Sequence, residues 1–223
     1  MDKIFVLDVC CGICLLGVIP QLEEKSCIFV FSGDNICCEE EYNKRKEVFK
    51  KVCIYYGISS YFIIPYNHKK YLDYIKGFES EKEGKIRCSL CFEYRFINLF
   101  NNLKLFLNNF SDNSFDNNKF SDNSIYISTT LSVSRFKNYE QIKNSAMKVI
   151  NNYKKNSSFF NSNFSSENFT DNIKRLTIGF YEKNFRNDIL YKKSIQEAKN
   201  LKLYRQNFCG CEFSKPSWNK FVN

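Results

Sequence analysis

Histidine is almost absent from this 223-residue chain: His68 is the only one. A catalytic triad built on histidine would have to use it. No nucleophile elbow lies near it, so a solvated surface residue is its expected role. The chain has no P-loop and no G-x-G-x-x-G run, so a bound nucleotide is not indicated. No stretch reaches the roughly 18 apolar residues of a membrane span. Residues 4–20 are rather apolar, but Asp8 interrupts them and no small-residue cleavage site follows, so no secretory leader is read there. The expected setting is the cytoplasm, with no membrane partner and with thiols reduced unless chemistry oxidises them.

What the chain does have is material for a core and a large stock of thiols. Hydrophobic residues make up 43 % and aromatics 17 %, enough for packed layers. The net charge of +9 is compatible with a nucleic-acid partner, since Lys and Arg neutralise phosphates and release counterions. The 11 cysteines are odd in number, in a chain too long for a small disulfide scaffold. They are also grouped: Cys10, Cys11 and Cys14; Cys37 and Cys38; Cys88 and Cys91; Cys209 and Cys211, with Cys27 and Cys53 alone. Close pairs separated by long gaps favour metal or redox chemistry over cross-links.

Apolar runs at Ile4–Val9, Cys27–Phe31, Tyr61–Ile64 and Ile125–Ser128 read as buried strands. Helices are expected over Glu39–Tyr56, with Tyr42, Val48, Phe49, Val52 and Tyr56 near one face and Gly57 as the stop. Others are expected over His68–Ile75, Ser89–Leu107 and Tyr139–Ile150; Phe92, Phe96, Leu99, Phe100, Leu103, Phe106 and Leu107 fall at helical spacing. Strands alternating with helices imply an α/β fold with a mainly parallel sheet flanked by helices. Sites in such sheets lie beyond the carboxyl ends of strands, where Cys10 and Cys11 would sit. Residues 1–223 read as one domain, with flexible Asn-rich insertions at 108–124 and 153–172.

Cys88 and Cys91 fall on one helix face, and Cys10 and Cys11 sit at a strand-to-loop turn. Together they supply four thiolates, which fit a tetrahedral zinc or a four-iron cluster. Adjacent cysteines are unlike common zinc ribbons and lean toward iron–sulfur; a zinc staple and inert buried thiols stay open. Cys209-Gly210-Cys211 would close a small, strained and labile ring on oxidation, with Gly210 permitting the tight backbone. It reads equally as a reversible dithiol or as two metal ligands.

Several blocks together resemble the QueH family of epoxyqueuosine reductases. They are Leu7–Cys14, Glu41–Arg45, Arg87–Arg95, Ser128–Ser134, Asn184–Arg186 and Leu203–Ser214, in the family order. The chain departs from the family pattern at Asp8, where His is usual, at Ile13, where Pro is usual, in the loop Ser32–Ile36 and at Asn184. The resemblance implies an adenine-nucleotide alpha-hydrolase-like (HUP-like) fold and a 4Fe-4S cluster. Its ligands would be Cys10, Cys11, Cys88 and Cys91, with Cys209 and Cys211 as a redox-active disulfide. One additional iron is a further implication, with Cys14 and Asp8 as residues able to hold it or line the site. The implied reaction is reduction of epoxyqueuosine to queuosine at the wobble base of a tRNA anticodon, with tRNA and an unidentified electron donor as partners. Arg87, Arg95, Arg186, Arg205 and Tyr204 are candidates for tRNA or substrate contacts, each set against an ordinary salt bridge. Asp8, Tyr204 and a bound water are also candidate proton donors. The rival readings are a zinc-stapled RNA-binding module and a thiol–disulfide oxidoreductase.

Overall fold

A computed structural model describes residues 3–23, 27–111, 124–155 and 177–214. Five parallel strands form the central sheet: β1 (Lys3–Val9), β2 (Cys27–Phe31), β3 (Tyr61–Ile63), β4 (Ser124–Thr129) and β5 (Thr177–Phe180), in the order β3-β2-β1-β4-β5. Six helices flank it among the described residues: α1 (Gly12–Val18), α2 (Glu39–Tyr55), α3 (His68–Tyr74), α4 (Ile86–Ser111), α5 (Tyr139–Lys155) and α6 (Asp188–Asn200). The expected mainly parallel α/β architecture is what forms, and it is consistent with a HUP-like domain.

Strand alternation builds two core layers. Ile4 and Val6 of β1 pack with Phe92, Phe96, Leu99 and Phe100 of α4 and with Ile142 and Ala146 of α5. Phe5, Leu7 and Val9 face the other way, toward α1, α2 and α6. Successive side chains on a strand point to opposite faces, so Asp8 follows Ile4 and Val6 toward α4. The chain runs outward from β1 through β2 to β3, then returns to place β4 on the other side of β1. That reversal opens a crevice at the carboxyl ends of β1 and β4, the usual ligand position in such sheets.

The expected elements appear at nearly their expected limits, with informative differences. Tyr56 is exposed rather than on the core face of α2; its hydroxyl donates to Glu197, and Cys53 is buried instead. Gly57, with φ +63°, turns the chain after α2. α4 begins at Ile86, ahead of the expected start. Of the Asn-rich stretches, residues 108–111 extend α4, Ser124 opens β4 and 153–155 end α5. The rest of both stretches, and the Leu107 side chain, lie outside the described residues. α1, β5 and α6 were not expected.

At the crevice, Asp8 is fully buried and takes four hydrogen bonds. Arg95 of α4 donates to both its oxygens, Nη2 to Oδ1 at 2.7 Å and Nε to Oδ2 at 3.0 Å. Ser32 after β2 donates to Oδ1 and Thr129 of β4 to Oδ2. The remaining guanidinium donors reach the carbonyls of Ser32 and Val9 and Oδ1 of Asn35. Three strands and α4 thus meet on one ion pair whose polar atoms are satisfied, the condition under which a buried pair is tolerated.

Two expectations follow from these buried groups. Arg95→Met strands the Asp8 carboxylate and is expected to cost about 3–5 kcal/mol, whereas the Asp8→Asn/Arg95→Met pair costs less; urea unfolding of identically prepared chains measures both. Cys27 and Cys53 are solitary buried thiols, and burial pushes each up to about 12. The folded chain therefore holds these protons more tightly than the unfolded chain. The stability they confer is complete below the ordinary thiol range near pH 9 and is lost as pH rises from about 9 to 12. Cys27→Ala and Cys53→Ala chains should each show a shallower loss of unfolding free energy across that window.

Candidate functional site

β1 delivers Cys10 and Cys11 to the crevice, and α1 starts immediately afterwards. Cys11 caps α1: its Sγ accepts from the backbone N–H of Cys14 at 3.3 Å. The cap turns Cys14 back, so the sulfurs of Cys10, Cys11 and Cys14 all lie within 4.8 Å of one another. This group can hold a metal. Hydrogen bonds from Cys10 and Cys14 hold the Cys11 thiol well below its ordinary range. Thr130, at the end of β4, steadies Cys10 from the other side: its Oγ1 accepts from the Cys10 N–H at 3.0 Å and donates to Sγ at 3.3 Å. Gly12 allows α1 to lie close on α2, since a Cβ there would stand 2.6 Å from Val48 Cγ1.

α4 presents Cys88 and Cys91 in its first turns. Cys88 Sγ accepts from the Gly84 N–H at 3.1 Å. Burial raises the thiols of both Cys88 and Cys91. Cys91 precedes Arg95 by one helical turn, so the arginine that grips Asp8 also holds the turn of α4 that brings Cys91 to the cavity lined by Cys10. Cys10, Cys14, Cys91 and Cys209 line one cavity of about 910 Å³. Cys11 lies behind Cys10, and Cys88 one turn before Cys91.

The Cys209–Cys211 segment has no strand or helix to satisfy its backbone, and side chains do so instead. Arg45 donates to the carbonyls of Cys209 (3.0 Å) and Phe208 (3.2 Å) while its Nε is paired with buried Glu41 at 2.7 Å. Arg87 donates to the carbonyls of Phe213, Glu79 and Glu81. The Cys37 N–H takes the Gly210 carbonyl at 2.8 Å. Each sulfur also has a partner. Cys209 Sγ accepts from Lys137 Nζ at 3.1 Å, and Cys211 Sγ lies 3.7 Å from the Tyr71 hydroxyl. Burial pushes the Cys211 thiol up, against the hydrogen bond from Tyr71.

Lys137 is the residue that sequence reasoning missed. It follows β4 by a short loop, at the strand end where sites in such sheets lie. Burial opposes its charge, but the charge on Cys209 and the hydrogen bond to it, with smaller contributions from Cys91 and Cys88, more than offset this. Lys137 is therefore held protonated inside the cavity. The other residues singled out fall into two groups. Asp8, Arg87 and Arg95 are buried, with their polar atoms engaged by protein. Tyr204 donates to Glu41 at 2.7 Å. Arg186 and Arg205 stand exposed at the cavity rim, joined there by Arg135 and Lys192. Arg186 also holds the carbonyls of Ser134 and Lys137, so it fixes the loop that carries Lys137. His68 is half-buried, with Nε2 at 3.2 Å from Glu212 and Nδ1 at 2.7 Å from the Asp34 carbonyl, and it packs against Tyr66 and Tyr71 rather than standing in solvent. No helix among the described residues is long and apolar enough to cross a membrane.

Comparison with known proteins points one way. The family model described as epoxyqueuosine reductase QueH matches residues 5–105 and 169–217. Those segments contain every cysteine of the site; Lys137 and the Ser128–Ser134 block lie between them. The epoxyqueuosine reductase QueH of Thermotoga maritima is 26 % identical over 215 residues, covering 94 % of this chain and 88 % of that protein. The protein of the same name from Acinetobacter baylyi is 24 % identical over 222 residues, covering 99 % and 84 %. That from Streptococcus pyogenes is 22 % identical over 215 residues, covering 94 % and 69 %.

Gly210 tests how the dithiol segment is held. Its φ of +109° lies in the left-handed region, and a Cβ would stand 2.9 Å from Arg45 Nη1. Gly210→Ala is expected to cost about 1–3 kcal/mol locally. Hydrogen exchange of the amides at 208–214 should then quicken by roughly tenfold to a hundredfold, with β1 amides unchanged.

Proposed function

The chain belongs to the epoxyqueuosine reductase QueH family, and from that premise we propose how its thiols reduce epoxyqueuosine to queuosine in tRNA. Opening the epoxide to an alkene takes two electrons and two protons and releases water. Cys209 and Cys211 supply the two electrons as their two S–H groups become one S–S bond, and the two protons they release pass to the leaving oxygen, one of them by way of Lys137. The observation that carries this reading is the convergence of Cys10, Cys14, Cys91 and Cys209 on one cavity that also holds the Lys137 ammonium.

Cys10, Cys11, Cys88 and Cys91 are the proposed holders of a 4Fe-4S cluster, with Cys14 available to a further iron. The donor set suits such a group: thiols are soft, the sulfurs of Cys10, Cys11 and Cys14 lie within 4.8 Å of one another, and burial raises Cys88 and Cys91, so their thiolates need a cation beside them. When bound, the cluster supplies single-electron transfer and Lewis acidity. Asp8 is unsuited to the additional iron, since both its oxygens already accept hydrogen bonds in the interior.

Lys137 has N–H groups beyond the one given to Cys209, and it presents them to the oxygen that leaves the substrate. It is a better proton donor there than Asp8, which is buried against Arg95, or Tyr204, whose hydroxyl is given to Glu41. The wobble base is turned out of the anticodon loop to reach a cavity of this depth. Arg135, Lys192 and Arg205 at the rim meet the phosphates, a contact that positions without reading sequence.

The test is mass analysis of tRNA nucleosides after incubation with anaerobically prepared chain and a reductant, alongside iron and zinc content. Repeated conversion by brown, iron-containing protein is expected. Cys10→Ser and Cys91→Ser should lose iron; Cys209→Ser should keep it and lose multiple turnover by at least about 100-fold, or roughly 3 kcal/mol. A colourless chain holding one zinc defeats the cluster, and a Cys209→Ser chain that still turns over defeats the dithiol.

A further inference from the structure

A dithiol oxidised in each cycle must be reduced again, and this one is poorly placed to meet a reductant. Cys211 is only 5 % exposed, and Cys209 faces the cavity that the tRNA base would fill. Against the same segment lies a second thiol pair with no part in the proposed cluster. Cys37 and Cys38 have their sulfurs 3.9 Å apart, and Cys38 is the one exposed cysteine of the eleven. The turn that carries them runs outward from the cavity wall at Asn35 and Ile36. It is joined to the Cys209–Cys211 segment by the hydrogen bond from Cys37 N–H to the Gly210 carbonyl. The contact is tight: a Cβ on Gly210 would stand 3.3 Å from Ile36 Cγ1. A disulfide spans Cα atoms roughly 4.4–6.8 Å apart, and this backbone hydrogen bond brings the two segments into direct contact.

Resting on the dithiol reading above, we propose that Cys37 and Cys38 form a surface relay through which an external dithiol reduces the Cys209–Cys211 bridge. A thiolate of Cys37 or Cys38 attacks one sulfur of that bridge and forms a mixed disulfide, releasing the other sulfur as a thiol once it takes a proton. The second thiolate of the surface pair attacks the mixed disulfide and releases the remaining buried thiol. Two electrons have then moved inward, and Cys37 and Cys38 are bridged. The external dithiol reduces that bridge in turn and becomes a disulfide itself. Adjacent Cα atoms are about 3.8 Å apart, below the usual disulfide span, so a Cys37–Cys38 bridge is strained and easily reduced. That suits a carrier rather than a staple. Consumption of the reduced buried pair by the epoxide draws electrons in the required direction.

The test follows reduction of the Cys209–Cys211 bridge by differential alkylation and peptide mapping of the full chain. Two probes are used, dithiothreitol and thioredoxin, with a phosphine as a direct reductant. The Cys37→Ser/Cys38→Ser chain, and Cys38→Ser alone, should be reduced at least tenfold more slowly than the parent. Slowing with thioredoxin alone identifies a protein dithiol as the donor; slowing with both probes identifies dithiols generally. In a Cys209→Ser chain, mild oxidation should trap a bridge from Cys211 to Cys37 or Cys38. Equal rates in parent and variants overturn the relay and leave the dithiol reading standing. A parent chain in which no Cys209–Cys211 bridge forms overturns both.

Discussion

The site depends on one buried ion pair. Asp8 stands two residues before Cys10, and Arg95 stands four residues after Cys91. A strand returns to the same face every second residue, and a helix nearly does so every fourth. Clamping Asp8 to Arg95 at 2.7 Å therefore ties the strand end that leads to Cys10 to the helix that carries Cys91, although 80 residues separate the two cysteines. Ser32 and Thr129 brace the carboxylate from the ends of neighbouring strands. The interaction is oriented rather than merely attractive, because all five guanidinium N–H groups have assigned acceptors. An arginine fixed in this way lends its charge to the thiol cavity while being unable to swing out toward a ligand.

The dithiol segment is a contrasting solution to the same problem of placement. It lacks regular secondary structure, yet buried carbonyls must be satisfied. Arg45, Arg87 and the Cys37 N–H satisfy them one by one. Blocks scattered through the chain meet here: Glu41 pairs Arg45 and takes the Tyr204 hydroxyl, and Arg87 stacks on Phe213. These are contacts between the sequence blocks that carry the family resemblance. Much of that resemblance thus reflects the holding of a backbone rather than the touching of a substrate, which is why Arg87 and Arg95 read as ligand contacts in sequence and are buried scaffold in space.

What was legible in the sequence had a local cause. β2 coincides with its apolar run, α2 starts at the expected Glu39, and the Phe-rich stripe of α4 is buried from Phe92 to Phe106. α1 escaped because Gly12–Val18 is apolar on almost every side and so has no period, and because its cap is a cysteine rather than Ser, Thr, Asp or Asn. α6 carried a readable signal in Asn187, whose side chain accepts from two backbone N–H groups of the first turn. Within the site, the cysteine pairs announced themselves by spacing. Lys137 did not, because its partner Cys209 lies 72 residues away and a lone lysine in a basic chain carries no pattern. The role of Asp8 was hidden for the same reason: a carboxylate near cysteines resembles a ligand until Arg95 is seen beside it.

The distribution of positive charge follows from these placements. Arg45, Arg87 and Arg95 are buried and directed at carbonyls and two carboxylates, those of Glu41 and Asp8, so their charges form part of the frame. Arg135, Lys192 and Arg205 are exposed at the rim, where charge attracts a polyanion without a desolvation cost. Lys137 lies between these cases, among thiols and facing the cavity. A buried ammonium persists only where its surroundings favour the charge, and the contact from its Nζ to Cys209 Sγ at 3.1 Å contributes to that here.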